Sequence, residues 1–267
     1  MAISSTSGPD SSSNPDPALS LEGVKEPYDA IAEVYDAHRR GRGPFLPALV
    51  RLAEASEAAR VLELGCGTGN SAGAFLDAYP CALTGIDRAP RMLARARAKD
   101  VPARWVNADA TRLPFADGSF DFVFGVLMLH LNVNVAPVLA ECYRVLRRGR
   151  VAFVTAPHAF IRNHVLNRYF PSFADIDLER FQSEAVVSKA LTVVGFIDIQ
   201  IEITKRDPEP VDAAYVDKVE NFFITTLRLI PENEFAAGLK RLRADVSEKG
   251  RLDEPMIWEA AVVSGRK

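Results

Sequence analysis

Residues 61–70, VLELGCGTGN, constrain this chain more than any other stretch. An apolar strand pattern runs into glycines at positions 65, 67 and 69, and a helical pattern follows over 71–79. Such a strand–turn–helix unit faces the ligand in an open α/β sheet, because ligands sit outside the carboxyl ends of the strands. The glycines supply tight backbone and let a ligand approach closely. Glu63 lies two residues before Gly65. A carboxylate there repels a pyrophosphate and attracts an ammonium or sulfonium group. The nicotinamide fingerprint GxGxxG, counted from Gly65, needs a third glycine at a position held by Asn70. The spacing ExGxGxG therefore suits a cationic ligand, and a nicotinamide oxidoreductase is the weaker alternative.

The rest of the chain supports a sheet of this kind. Strand patterns fall at 60–65, 82–87, 103–109, 120–126 and 151–157, with helical patterns at 71–79, 90–98 and 135–146 between them. Strands alternating with helices over short loops imply a parallel, doubly wound arrangement. Two further strands are expected at 193–203 and 256–265, which makes seven. Upstream, Tyr28, Ile31, Ala32 and Tyr35 recur at helical spacing, and FLPALVRLAEASEAA (45–59) forms another helix. Residues 1–23 are rich in Ser, Pro, Asp and Gly and are expected to form a disordered tail. One domain over 24–267 follows, with 158–190 and 205–255 inserted on the substrate side.

Composition narrows the functional class. The net charge is −3 and the pI about 5.9, so no bulk field favours nucleic acid or an anionic membrane. Cys66, Cys81 and Cys142 form an odd set without CxxC spacing, which argues against disulfides and structural zinc and for a reducing, cytoplasmic setting. No apolar run is long enough to span a bilayer, so stable membrane insertion is not expected. The clusters Arg39–Arg40–Arg42 and Arg147–Arg148–Arg150 are solvated faces or sites for an anionic ligand.

Taken together, VLELGCGTGN, TGIDRAPRML (84–93), NADATRLPFADGSFDFVF (107–124) and LHLNVNVAPVLAECYRVLRRG (129–149) resemble, in order and spacing, the class I S-adenosylmethionine-dependent methyltransferases. The likeness is to the small-molecule subfamily that includes the ubiquinone and menaquinone C-methyltransferases. It implies a Rossmann-like fold, S-adenosylmethionine as cofactor, and methyl transfer to a small, hydrophobic or cyclic organic acceptor at carbon, oxygen or nitrogen. A catalytically silent cofactor-binding scaffold is the alternative of another class. The resemblance places Asp87 on the ribose hydroxyls and Asp109 on the adenine amino group, with Ala110 beside it. Gly65, Cys66, Gly67 and Gly69 form the cofactor turn above Glu63, and Arg88, Met92, Gly125 and Val126 line it. Two departures stand out. Arg148 and Arg150 flank Gly149 where the family often has Pro-Gly-Gly, and His130 is followed by Leu131 where it often has a second histidine.

The residues read the same way without the name. Asp87 ends the second strand, where a carboxylate can accept two hydrogen bonds from a diol, and Asp109 ends the third on the same edge. Tyr28 and Tyr35 lie on the helix expected to close over the cofactor, near its methionine part or methyl group. Methyl transfer needs a base only if the acceptor loses a proton. His130 and His158 follow strands four and five and are base or substrate-orienting candidates, or else capping and packing residues. Aromatics in the insertions (Phe160, Tyr169, Phe170, Phe173, Phe181, Tyr215, Phe222 and Phe223) either line an apolar acceptor pocket or pack helices. FFITTLRLI (222–230) is a packed segment, a homodimer face or a lipid-facing helix. No metal-ligand cluster and no basic–aromatic nucleic-acid surface is readable.

Overall fold

The computed structural model of the chain describes Tyr28, Ala32 and residues 35–38, 43–132 and 134–267. The expected tail, most of the 28–36 helix and Arg39, Arg40 and Arg42 lie outside the described residues. The elements begin with α1 (Tyr35–His38), α2 (Leu46–Glu54), β1 (Arg60–Leu64), α3 (Asn70–Ala78), β2 (Ala82–Asp87), α4 (Pro90–Arg97), β3 (Arg104–Asn107) and β4 (Phe120–Val126). They continue with α5 (Ala136–Val145), β5 (Leu146–Thr155), α6 (His158–Asn163), α7 (Phe173–Arg180), α8 (Glu184–Val194), β6 (Ile197–Lys205), α9 (Ala213–Glu220), α10 (Glu232–Lys249) and β7 (Glu259–Arg266).

The seven strands form one sheet in the order β3-β2-β1-β4-β5-β7-β6. Neighbours from β3 to β5 are parallel, and β7 runs antiparallel between β5 and β6. The order reverses between β1 and β4, so a crevice opens at their carboxyl ends. This is the Rossmann-like, doubly wound, mostly parallel sheet that the alternating patterns imply. Each face is covered because the strands are apolar on both sides. Val61, Phe122, Phe124 and Val262 pack with Phe45, Leu49 and Phe75 of the α2–α3 side. Leu62, Leu64, Val123 and Val263 pack with Leu139, Cys142, Val187 and Leu191 of α5 and α8. The period-two alternation along β1 and β4 divides the two cores.

Some boundaries differ from the sequence reading, for local reasons. The expected strand at 193–203 starts at Ile197, because Val193 and Val194 complete α8 and Gly195 ends it in the left-handed region at φ 114°. Helix α8 reaches into the stretch assigned to the first insertion, yet Val187 and Leu191 are buried in the sheet core. Strand β5 begins at Leu146, five positions before the expected 151. Its irregular start brings Gly149 against Asp121, where an added Cβ would lie 1.9 Å from the carbonyl oxygen. The glycine is needed there, while the arginines on either side of it are accommodated.

Residues 158–180 and 205–256 pack on one another as a helical cap with its own core, which includes Leu166, Phe170, Phe173, Tyr215, Val219 and Leu242. Tyr169, Phe170, Phe173 and Tyr215 are buried in it, so for these four the packing role accounts for the aromatic ring. Within FFITTLRLI, Leu227 and Ile230 are buried in the same core, and Thr226 donates to Asp177 at 2.7 Å. Among the described residues no helix is long and apolar enough to cross a membrane.

At the opposite edge from the crevice, Asp121 ties β1, β4 and β5 together. Its buried carboxylate accepts from the Arg60 amide at 3.0 Å and lies 3.2 Å from the Arg60 guanidinium and 3.0 Å from that of Arg147. Burial alone would raise its pKa, but the bonds from Arg60 and Arg147 outweigh it and hold the carboxyl below the ordinary value. Its contribution is therefore present above the unfolded value of about 3.9 and is lost as pH falls through the lowered native value. Both guanidinium groups are half exposed, which limits the gain. Asp121→Ala is expected to cost about 2 kcal/mol, seen by calorimetry at pH 7 as a melting temperature lower by roughly 4–8 °C. The deficit should shrink toward pH 3, and a deficit independent of pH would contradict the assignment.

Candidate functional site

Three left-handed residues shape the turn after β1. Gly65, Gly67 and Gly69 have φ of 63°, 53° and 78°, a region costly for residues with a Cβ. A Cβ on Gly65 would lie 2.7 Å from Cβ of Met128, and one on Gly69 would lie 2.8 Å from the Trp105 ring. A Cβ on Gly67 would meet nothing within 4 Å, so the bare backbone of the middle glycine faces open space. Cys66 between them is buried, and its amide donates to the Ile86 carbonyl at 2.9 Å. Burial pushes its thiol far up, which removes it as a nucleophile.

Asp87, at the end of β2, braces this turn. One carboxylate oxygen accepts from the Gly67 amide at 2.8 Å and the other from the Ala89 amide at 2.8 Å. Each oxygen keeps a further lone pair for a ligand hydroxyl. Burial raises its pKa, and those amide bonds partly offset the rise. On the neighbouring strand end, Asp109 accepts from the Thr111 amide and hydroxyl at 2.8 and 2.7 Å and lies 3.6 Å from Arg88. Burial would raise Asp109, but Thr111 and Arg88 hold it below the ordinary value. Ala110 and Met92 are buried beside these strand ends, and Gly125 and Val126 close β4. Tyr28 and Tyr35 meet edge to face with ring centroids 6.4 Å apart.

Glu63 is the unusual group. It is 1% exposed, and its Oε2 has no hydrogen-bond partner among the described residues. Burial, with the nearby charge of Asp87 adding to it, raises its pKa well above the ordinary glutamate value. A buried acid without a partner costs stability unless it is protonated or meets a cation. Beneath an open glycine turn, it fits a ligand that brings positive charge to the turn and a diol to Asp87.

His130 and His158 converge on Phe181, just past α7. The His130 ring stacks on that of Phe181 with centroids 4.2 Å apart and planes at 23°. His158 Nε2 lies 2.7 Å from the Phe181 carbonyl. A carbonyl only accepts, so Nε2 is the donor in this contact, and Nδ1 is the ring nitrogen outside it. Sequence reasoning placed both histidines at the crevice but gave no sign that Phe181 would join them. It also missed Trp105, whose ring fills the space left by Gly69 and Gly85, and Met128, which packs against both Gly65 and Gly125. Those glycines, on adjacent elements, were the available signal. Among the described residues no group of three or more His, Cys, Asp or Glu side chains is placed to hold a metal ion.

Comparison with known proteins shows the family and the fold. The methyltransferase domain family matches residues 62–154, from β1 through β5. A malonyl-[acyl-carrier protein] O-methyltransferase from Herminiimonas arsenicoxydans is 33% identical over 193 residues, which cover 69% of this chain and 68% of that one. A ubiquinone/menaquinone biosynthesis C-methyltransferase from Desulfotalea psychrophila is 38% identical over 137 residues, covering 48% of this chain and 55% of that one. The chain thus spans about half to two thirds of the length of these curated relatives. In fold, it is similar to the Haemonchus contortus phosphoethanolamine N-methyltransferase 2 in complex with S-adenosylhomocysteine, with a TM-score of 0.53 and 16% identity over 90% of this chain and 57% of that one. The glycine turn, the strand-end carboxylates, the sheet order and these relatives agree: the chain belongs to the class I S-adenosylmethionine-dependent methyltransferases.

Proposed function

We propose that this chain transfers a methyl group from S-adenosylmethionine to a small, hydrophobic or cyclic organic acceptor held between the carboxyl edge of the sheet and the cap. The observation that carries the reading is Glu63, a buried acid with an unpartnered oxygen beneath three left-handed glycines. When bound, S-adenosylmethionine supplies an electrophilic methyl on a sulfonium with a neutral thioether as leaving group. The protein's own task is then to bind, align and exclude water.

Each residue of the site has a part in that task. Gly65, Gly67 and Gly69 offer bare backbone, and Glu63 supplies the negative charge that a sulfonium or ammonium needs. Asp87 takes the ribose hydroxyls with the lone pairs left by Gly67 and Ala89. Asp109, oriented by Thr111 and Arg88, accepts from the adenine amino group. Cys66, Met92, Ala110, Gly125 and Val126 form the apolar lining, and Tyr28 and Tyr35 cover the turn. His130 and His158 hold Phe181 over the crevice, and an acceptor that must lose a proton gives it to Nδ1 of His158. Relatives named for a quinone ring and for an acyl-carrier-bound malonyl group support small organic acceptors, without choosing among them.

A thermal-shift titration with S-adenosylmethionine, S-adenosylhomocysteine and NAD tests the cofactor assignment. A ligand at about 100 times its dissociation constant adds about 2.7 kcal/mol, a shift of several degrees. The expected result is a shift with both sulfur compounds and none with NAD, with Asp87→Ala losing it. A shift with NAD alone, or an undiminished shift in Asp87→Ala, would overturn the reading. For the cap, His158→Ala should leave S-adenosylhomocysteine affinity unchanged and slow label transfer from methyl-labelled cofactor to an acceptor found by screening phenols and quinones. Unchanged turnover would remove His158 from the reaction.

A further inference from the structure

The glycine turn is braced by Asp87 on one side, and a second set of side chains holds it from the other. Asp36 of α1 accepts from the Thr68 hydroxyl at 2.5 Å and from the Asn70 amide nitrogen at 2.9 Å, both through Oδ1. Lys99, just past α4, lies 2.9 Å from Oδ2 of Asp36. The same ammonium donates to the Thr68 carbonyl at 2.7 Å and to Oδ1 of Asn70 at 2.6 Å. Its three hydrogens are thus matched by three acceptors. The four side chains come from three separate segments and close a ring around Thr68, which sits between Gly67 and Gly69 and is 1% exposed. Arg95 adds a second positive charge 3.8 Å from Asp36.

The ring explains Asn70, the residue that breaks the nicotinamide fingerprint. Its amide donates to Asp36 and accepts from Lys99, using both ends at a position where a glycine would supply neither. Burial would raise Asp36, but the bonds from Lys99, Thr68 and Asn70 outweigh it and keep the carboxyl below its ordinary value. It is therefore ionised at neutral pH.

We infer that Asp36 is a positioning residue for cofactor binding, which sets the glycine turn through Thr68 and Asn70 with Lys99 as its counter-charge. The inference rests on the function proposed above and goes beyond it, since neither Asp36 nor Lys99 belongs to the glycine motif. Asp36 is the one member of the ring that lies outside the strand–turn–helix units of the sheet. Its loss leaves the buried Thr68 hydroxyl without its acceptor and Lys99 without its charge partner, so the turn is free to change its aim. Because the buried Thr68 hydroxyl is left unsatisfied, Asp36→Ala should also lower the stability of the ligand-free protein.

Calorimetric titration of the full chain with S-adenosylhomocysteine tests this on wild type, Asp36→Ala, Asp36→Asn, Lys99→Met and the Asp36→Ala/Lys99→Met pair. Asp36→Ala should weaken binding about tenfold, as expected for loss of a charged hydrogen-bond network, with a ligand-free melting temperature lower by roughly 4–8 °C, so that the protein stays folded at the titration temperature. Asp36→Asn, which keeps an acceptor for Thr68, should fall between the two. The double variant should bind no more weakly than the worse single one, because both remove the same interaction. Unchanged affinity in Asp36→Ala and Lys99→Met, or additive losses that follow the melting temperature, would overturn the inference while leaving the cofactor site standing. Failure of the wild type to bind would overturn both.

Discussion

A buried acid, one of whose oxygens has no hydrogen-bond partner among the described residues, sits under the turn on which this site is built. Glu63 could be removed from water cheaply only as the neutral acid or opposite a cation. The protein keeps it 1% exposed, in the middle of the parallel strands and flanked by Gly85 on β2 and Phe124 on β4. The left-handed glycines, the carboxylate of Asp87 on the Gly67 amide, and the ring around Thr68 then hold an open backbone surface directly after it. Stability is given up at one residue so that a positively charged ligand finds an acid already positioned and out of water, which becomes its counter-charge on binding.

The division of labour across the molecule follows from this. The parallel sheet fixes the strand ends, and its far edge is locked by Asp121, remote from the site. The cap has its own core, and Phe181, just past α7, has its ring stacked on His130 and its carbonyl bonded by His158. The sheet and the cap are thus packed around separate cores, with the glycine turn and the strand-end acids carried by the sheet.

Much of the cofactor half was legible in the sequence, because it obeys local rules. Alternate glycines after an apolar strand, an acid two residues earlier and an acid at each following strand end are all short-range signals. The doubly wound, mostly parallel character of the sheet followed from the alternation of strands and helices. Long-range pairings were not legible. Nothing near Asn70 in sequence points to Asp36, 34 positions away, or to Lys99, 29 positions away. The cap aromatics were ambiguous for a different reason: hydrophobic pattern shows that a ring will be buried, not whether helices or a ligand bury it. Tyr169, Phe170, Phe173 and Tyr215 were settled only by the packing of two stretches far apart in the chain. The boundary of α8 was misplaced because Val193 and Val194 suit a strand as well as a helix, and the left-handed Gly195 decides between them.

If Glu63 is held for a cation, its ionisation is coupled to ligand binding, and proton-linked calorimetry measures that coupling. Its raised pKa means that the ligand-free protein is stabilised by the neutral acid below the native value, and this stability falls as pH rises from the ordinary glutamate value, about 4.3, toward the raised one. Binding of S-adenosylmethionine should ionise the group, so titrations near neutral pH in buffers of different ionisation enthalpy should show proton release. Glu63→Gln should release no proton, be more stable without ligand, and bind about tenfold more weakly, a difference of about 1.4 kcal/mol. Proton release that persists in Glu63→Gln, or unchanged affinity in that variant, would contradict the account.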